Sequence, residues 1–109
     1  MQSHKILPTW SGLNRFKYNG TVLDGTIICY GKDFKYRLQI RKEHYDKLIS
    51  YFKGQTVKAG TSRTDPPRNS VGKWLQENVT KTAVASYVCP ILIEEKYAEK
   101  VGRTEIGFF

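Results

Sequence analysis

The segment from Gly60 to Ser70 and the start of the helix after it carry the side chains best suited to a chemical role. Positive charge comes from Arg63, Arg68 and Lys73, and the hydrogen-bonding side chains around them are Thr61, Ser62, Thr64, Asn69 and Ser70. No apolar periodicity runs through this segment, so core packing does not explain its composition. Protein sites for phosphate use such cations and hydroxyls, and a helix start adds unpaired backbone N–H groups. We therefore expect this loop and helix start to bind phosphate groups.

A predicted strand supplies a second group of cations. Residues Phe34–Arg41 alternate strictly, so one face is apolar and the other carries Lys35, Arg37, Gln39 and Arg41. The earlier segment Leu13–Tyr18 divides in the same way, with Arg15 and Lys17 on its polar side. Side chains two residues apart share one face of a strand. If both strands belong to one sheet, these cations form a single basic face.

The charge distribution points to an acidic partner. The chain has 109 residues and a formal net charge of +8. Residues 32–81 hold twelve basic and five acidic side chains, whereas residues 82–109 hold three basic and four acidic ones. Nucleic acid is the commonest ligand of such a concentrated basic region. We therefore expect nucleic-acid binding mainly through phosphates, with DNA ahead of RNA. Two interpretations remain for Trp10, Tyr18, Tyr30 and Tyr51: core packing, which is favoured for most of them, and stacking surfaces for unpaired bases.

These residues must be positioned by strands and helices. The pattern of the sequence predicts a single α+β domain over residues 1–109, in which a small antiparallel sheet packs against two or three helices. Tyr45, Leu48, Ile49 and Phe52 form one helical stripe and predict a helix over 42–53. A second helix is expected over 70–79, capped by Asn69 or Ser70. Further predictions are a hairpin turn at Asn19-Gly20, turns at Asp24-Gly25 and Gly31–Asp33, and strands at Thr21–Leu23, Thr26–Tyr30 and Gln55–Ala59.

The last third of the chain allows two interpretations. In the first, Thr82–Val88 is a short helix ended by Pro90, and Ile91–Glu95 pairs with Arg103–Phe108 as strands. Helix, turn, helix and hairpin would then resemble a winged helix. In the second, Val84–Glu95 is one long buried strand, because a continuous apolar run does not distinguish strand from helix.

Two further segments resemble known families. Asp24–Ile40, a strand, a Gly-Lys-Asp turn and another strand, is similar to the bent strands of Sm-like RNA-binding barrels, although the helix that follows departs from that pattern. Ile91–Lys96, an apolar strand ending in Glu94-Glu95-Lys96, is similar to the metal-binding half of the PD-(D/E)xK nucleases. That resemblance implies Mg²⁺ held by acidic groups, with Asp24 as the aspartate from a neighbouring strand.

The remaining features favour a binding protein over an enzyme, with no metal or cofactor. Cys29 and Cys89 lie in apolar runs and read as buried thiols rather than a disulfide. His4 and His44 join no catalytic or metal-binding arrangement. The Met1–Lys5 start lacks the apolar run of a signal peptide, and the apolar-rich segment Ala83–Ile93 is too short to span a bilayer. We therefore expect a cytoplasmic protein without a membrane partner. Besides the nuclease, the alternative is a small protein-interaction module, an inhibitor or accessory subunit, that uses Ile106–Phe109 as an apolar contact or edge strand.

Overall fold

A four-stranded antiparallel meander, called sheet A, forms the amino-terminal part of the protein in a computed structural model that describes residues 4–109. Its strands follow in chain order: β1 (Lys5–Pro8), β2 (Arg15–Thr21), β3 (Gly25–Tyr30) and β4 (Tyr36–Arg41). One face is buried against the helices through side chains such as Phe16, Tyr18 and Ile28. Of the amino-terminal start discussed above, the first three residues lie outside the described part of the chain.

The structure corrects the predicted hairpin turn, the predicted strand Thr21–Leu23 and the start of β4, and it adds one strand, β1. The hairpin between β2 and β3 turns at residues 22–24, and Asn19 and Gly20 instead lie inside β2, paired with β3. The turn is closed by the Asp24 N–H, which donates to the Thr21 hydroxyl at 3.0 Å. Strand β1, which contains Pro8 and has no clear alternation, was not predicted. Strand β4 starts at Tyr36 rather than Phe34, because residues 32–34 form a 3-10 turn in which Asp33 and Phe34 have positive φ.

The second part of the chain consists of three helices and a second, three-stranded sheet. Their bounds are α1 (Lys42–Phe52), β5 (Thr56–Lys58), α2 (Val71–Asn78), α3 (Ala85–Glu94), β6 (Ala98–Val101) and β7 (Glu105–Phe108). Both predicted helices and the short strand after α1 are confirmed. The sheet order is β5-β7-β6, with antiparallel pairs. Helix α2, helix α3 and the β6–β7 hairpin follow one another in the order found in a winged helix. The strands of this hairpin are not the predicted pair.

Helix α3 overturns both interpretations of residues 82–95, because it continues through Pro90 as far as Glu94. Proline has no N–H to donate to the carbonyl four residues earlier, which here belongs to Ser86. That carbonyl instead accepts the backbone N–H of Trp10 at 3.0 Å. The helix is buried on several sides by apolar residues, including Val88, Ile91 and Leu92, so it shows no amphipathic period that a sequence reading could detect.

One hydrophobic core joins both parts of the chain and confirms the α+β prediction. Helix α1 packs against β3 and β4, α3 packs against β1 and β6, and α2 packs on the other two helices. The buried cluster contains residues from both sheets, among them Phe16, Tyr45 and Ile106. Cys29 and Cys89 are free thiols, as expected, but the prediction of burial holds for Cys89 and not for Cys29, which is half-buried. Burial raises the pKa of the Cys89 thiol. No helix within residues 4–109 is long and apolar enough to cross a membrane.

Candidate functional site

The second half of the Gly60–Ser70 loop is built into the fold. Pro66 is buried, and the fully buried Ser70 hydroxyl donates to the Pro67 carbonyl at 2.6 Å. The same hydroxyl accepts the Lys73 N–H at 3.0 Å as the N-cap of α2, and the Gly72 N–H donates to the Ala59 carbonyl at 2.9 Å. Two N–H groups of the first helical turn are therefore already used. Ser70 and the start of α2 have an internal role, unlike the phosphate contact expected for them.

The first half of the loop faces a polar cavity of about 500 Å³. Arg63 lines this cavity together with Arg15 at the start of β2 and Lys32 in the 3-10 turn. Hydroxyl and amide side chains complete the wall: Thr9, Ser11, Asn14, Thr61, Ser86 and Tyr87. The loop is held there by the Gln76 side chain, which donates to the Arg63 carbonyl at 3.4 Å. The structure thus brings the predicted loop and the predicted strand together at Arg63 and Arg15.

Trp10 organises a second cavity, of about 680 Å³, beside the first. Its indole N–H donates to the Arg103 carbonyl at 2.8 Å, which ties the β1–β2 connection to the β6–β7 hairpin. Lys100 donates to the Trp10 carbonyl at 3.0 Å and holds its ammonium 4.5 Å from the centroid of the indole ring. Lys58 lies at the end of β5 and donates to the Thr104 hydroxyl at 3.1 Å. The cavity therefore has three cations, Lys58, Lys100 and Arg103, on a rigid frame.

The two cavities share Ser11 and Thr61 in their walls and form one feature, which we call the basic groove. Six cations line it: Arg15, Lys32, Lys58, Arg63, Lys100 and Arg103. No carboxylate from residues 4–109 lines either cavity, and none of the six forms an ion pair within that part of the chain. Concave clusters of one sign concentrate their electrostatic field and attract counter-ions. Chemically, the groove is suited to polyanions with several phosphate groups.

Arg68 and Asn69 line a different cavity, so the two arginines of the loop do not act at one place. That cavity has a volume of about 570 Å³ and also includes Lys58 and the carboxylate of Glu105. The local charge is therefore less positive than in the groove. Ser62 and Thr64 are exposed, and the Ser62 hydroxyl accepts the Asp65 N–H at 3.1 Å within the loop. Lys73 is half-buried on α2.

Sheet A presents cations on the face turned away from the core, here called the outer sheet face. Lys17 pairs with Cys29, and Cys29 pairs with Arg37, so these three side chains form one row across β2, β3 and β4. Arg15 lies two residues before Lys17 and links this face to the groove. Arg41 lies four residues beyond Arg37, about 13 Å further along the sheet. The prediction of a shared face holds for Arg15, Lys17, Arg37 and Arg41.

Lys35 departs from the predicted face. It precedes β4, and its ammonium lies 5.3 Å from the centroid of the Tyr36 ring. Lys17 in turn lies 5.5 Å from the centroid of the Phe34 ring, which places the 3-10 turn between the groove and the outer sheet face. The positive surface therefore passes from the groove through Arg15 and Lys17 towards Arg37.

The four aromatic residues considered for core packing or base stacking have different surroundings. Tyr18 is buried and donates its hydroxyl to Glu95 at 2.7 Å, and burial is the main reason why its pKa is raised. Trp10 is buried beneath Lys100, and Tyr51 is exposed but lines the cavity of Arg68. Trp10 lines the groove with little exposed surface, and Tyr30 lies beside the groove in contact with Tyr87.

Tyr87 is a wall residue of the groove that remains a neutral phenol at neutral pH. Burial raises the pKa of Tyr87 above its ordinary value, and the neighbouring Tyr30 adds to this rise. The Arg63 guanidinium opposes the shift without reversing it. The Tyr87 hydroxyl can therefore act as a hydrogen-bond donor beside Arg63.

The acidic residues of the nuclease resemblance do not form a metal-holding group within residues 4–109. Ile91–Glu94 is helical rather than a strand. Glu94 pairs with Lys5 at 3.6 Å, and Glu95 accepts the Val22 N–H at 2.8 Å. Asp24 is bound within the β2–β3 turn. Among residues 4–109, no group of three or more His, Cys, Asp or Glu side chains is arranged to hold a metal ion.

The carboxy-terminal segment does not form the edge strand that a protein-interaction module would use. Strand β7 lies in the centre of its sheet, between β5 and β6. Ile106 and Phe108 are buried in the core, and only Phe109 is exposed.

Sequence reasoning missed four of the six groove cations. Lys32 and Lys58 were counted only as part of the basic region, and Lys100 and Arg103 were not selected. The region after residue 82 has a net charge of −1, which concealed Lys100 and Arg103. None of the four acidic side chains of this region lines the groove. Glu94 pairs with Lys5, Glu95 binds Tyr18 and Val22, and Glu105 lines the cavity of Arg68. The usable signal was Gly102-Arg103 as a basic hairpin turn.

Comparison with protein-family models, with curated proteins and with solved structures finds no match to this chain.

Proposed function

We propose that the protein binds nucleic acid mainly through the phosphate backbone, which lies in the basic groove. The observation that carries this proposal is the convergence of six cations from separate parts of the chain, with no carboxylate from residues 4–109 in the walls. Hydroxyl groups at Ser11, Thr61 and Ser86 add neutral donors between the cations. Phosphate contacts in proteins combine such groups, and they fix position without reading sequence.

The extent of the positive surface favours a polymer over a single small anion. The cations are spread over two joined cavities and continue through Arg15 to Lys17 and Arg37 on the outer sheet face. One phosphate would engage only a few of them, whereas a nucleic-acid backbone presents a charge at each nucleotide. Lys35, Arg37 and Arg41 then extend the contact beyond the groove.

Packing argues against base reading by α3. In helix-turn-helix proteins, the second helix enters the major groove of DNA with its side chains free. Here sheet A and its β1–β2 connection cover the start of α3. Trp10 of the connection donates to the Ser86 carbonyl, and Phe16 and Tyr30 of the sheet pack on the Tyr87 ring at centroid distances of 5.2 and 4.9 Å. We therefore propose sequence-independent backbone contacts, to be measured first on DNA and then on RNA of the same sequence.

The test compares two variants that each lose three positive charges. The groove variant carries Arg15→Gln, Lys32→Gln and Arg63→Gln, and the matched control carries Lys42→Gln, Lys47→Gln and Lys53→Gln at exposed positions on and after α1. Anisotropy with labelled 20-nucleotide single strands and 20-base-pair duplexes at low salt should show roughly 10- to 100-fold weaker binding for the groove variant. Its thermal unfolding should match the wild type, since all three side chains are exposed.

The control variant separates the groove from general charge attraction. We expect its affinity to fall less than about threefold, because none of its three lysines lines the groove and salt screens exposed charges. Equal losses in both variants would contradict a specific groove. If the wild type bound neither polymer at low salt, nucleic-acid binding itself would be rejected.

A further inference from the structure

A third cavity, of about 360 Å³, lies against the basic groove and is largely aromatic. Its walls include the rings of Tyr30, Tyr36 and Tyr87, and it shares Gly31, Arg63 and Tyr87 with the cavity that holds Arg15 and Lys32. The volume falls within the range of small-ligand pockets, about 300–1,000 Å³. An aromatic pocket and a cationic pocket therefore meet at the Arg63 guanidinium.

The three tyrosines are held in place before any ligand arrives. Tyr30 and Tyr36 are stacked with centroids 5.6 Å apart, and Tyr30 and Tyr87 approach to 4.9 Å. Gly31 permits this packing, because a Cβ at that position would lie 2.5 Å from the Tyr36 ring. Tyr36 nevertheless leaves 52% of its surface exposed. Because the Tyr36 ring is already held in place, binding a ligand to its exposed surface costs little side-chain conformational entropy.

The geometry points to a nucleobase pocket: an unpaired base stacks among Tyr36, Tyr87 and Arg63 while its phosphate lies with Arg15 and Lys32. This inference rests on the proposed function and narrows its ligand to single-stranded nucleic acid. Bases in a duplex stack on each other and offer only their edges, whereas unpaired bases expose the ring faces that aromatic side chains and guanidinium groups bind. The Thr82 hydroxyl, also in the wall, can bond to a base edge.

The experiment separates the contribution of the bases to affinity from the contribution of the phosphates. Wild-type protein is titrated with a labelled 12-nucleotide thymidine strand and with an abasic strand that has the same number of phosphates. We expect the thymidine strand to bind about 5- to 100-fold more tightly, the range of one to a few stacked bases. Tyr36→Leu should remove this preference and leave binding of the abasic strand unchanged.

Two control variants test whether the preference for the thymidine strand depends on the aromatic ring of Tyr36. Tyr36→Phe retains the ring and should retain the preference. Tyr51→Leu changes another exposed tyrosine, at 55% exposure, that lines the cavity of Arg68, and it should have no effect. Equal wild-type affinity for both strands, or a preference that persists in Tyr36→Leu, would overturn the nucleobase pocket while the proposed function stands.

Two further outcomes have different meanings. Displacement of the thymidine strand by thymidine monophosphate at a similar concentration would overturn the polymer as the ligand and assign the pocket to free nucleotides. Failure of the wild type to bind either strand at low salt would overturn the proposed function, and this inference with it.

Discussion

The two halves of the Gly60–Ser70 loop have similar composition and different environments. Each half has one arginine and hydroxyl or amide side chains. In the first half, Thr61 and Arg63 line the basic groove, where no carboxylate from residues 4–109 is present. In the second half, Ser70 is buried as a helix cap, and Arg68 shares its cavity with Glu105. The difference shows that polar composition alone does not separate a ligand contact from a structural one; the hydrogen-bond partners do.

The largest expected effect follows from Ser70→Ala, which tests the structural half. The change removes the N-cap bond to Lys73 and leaves the Pro67 carbonyl without its side-chain donor. We expect a loss of about 1–2 kcal/mol in the free energy of unfolding and roughly 5–15 °C in Tm. Denaturant and thermal unfolding measure this. Ser62→Ala, the same substitution in the exposed half, should cost less than about 0.5 kcal/mol, and equal costs would contradict the comparison.

A smaller effect is expected for the two arginines, changed singly to Gln. Arg63→Gln should weaken oligonucleotide binding several-fold and lower the slope of log affinity against log salt by about one, because one phosphate contact is lost. Arg68→Gln should change affinity less than about twofold, since Glu105 lies in the same cavity. Salt titrations of both variants measure the slopes. A larger effect of Arg68→Gln than of Arg63→Gln would contradict the proposal that the first half of the loop contacts the nucleic acid.

The sequence predicted the elements with a clear period and little of how they meet. Helix α1 follows from its apolar stripe and β4 from its alternation, whereas α3 was misread because it is apolar on several sides and contains Pro90. Glycine is unfavourable inside a helix, yet a Cβ at Gly72 in α2 would clash with the Gly60 carbonyl oxygen, so the close packing of loop and helix requires glycine. Such a contact depends on tertiary structure, which no local pattern encodes.

The candidate site was predicted only in part for the same reason. Arg15 and Arg63 were selected from their local context, but they are 48 positions apart, and nothing in the chain indicates that they line one cavity. Lys100 and Arg103 join the groove through the hydrogen bonds of Trp10, a residue that looked like a stacking surface. The groove is assembled by these long-range contacts.

The most direct test of the groove as the binding site is a titration of ¹⁵N-labelled protein with a short oligonucleotide, followed by amide chemical shifts. The account predicts that the largest changes occur at Ser11, Lys32, Thr61, Arg63 and Ser86, with small changes along α1 and at Arg68 and Asn69. Shifts concentrated on α1 or around Arg68, with the groove amides unchanged, would contradict it.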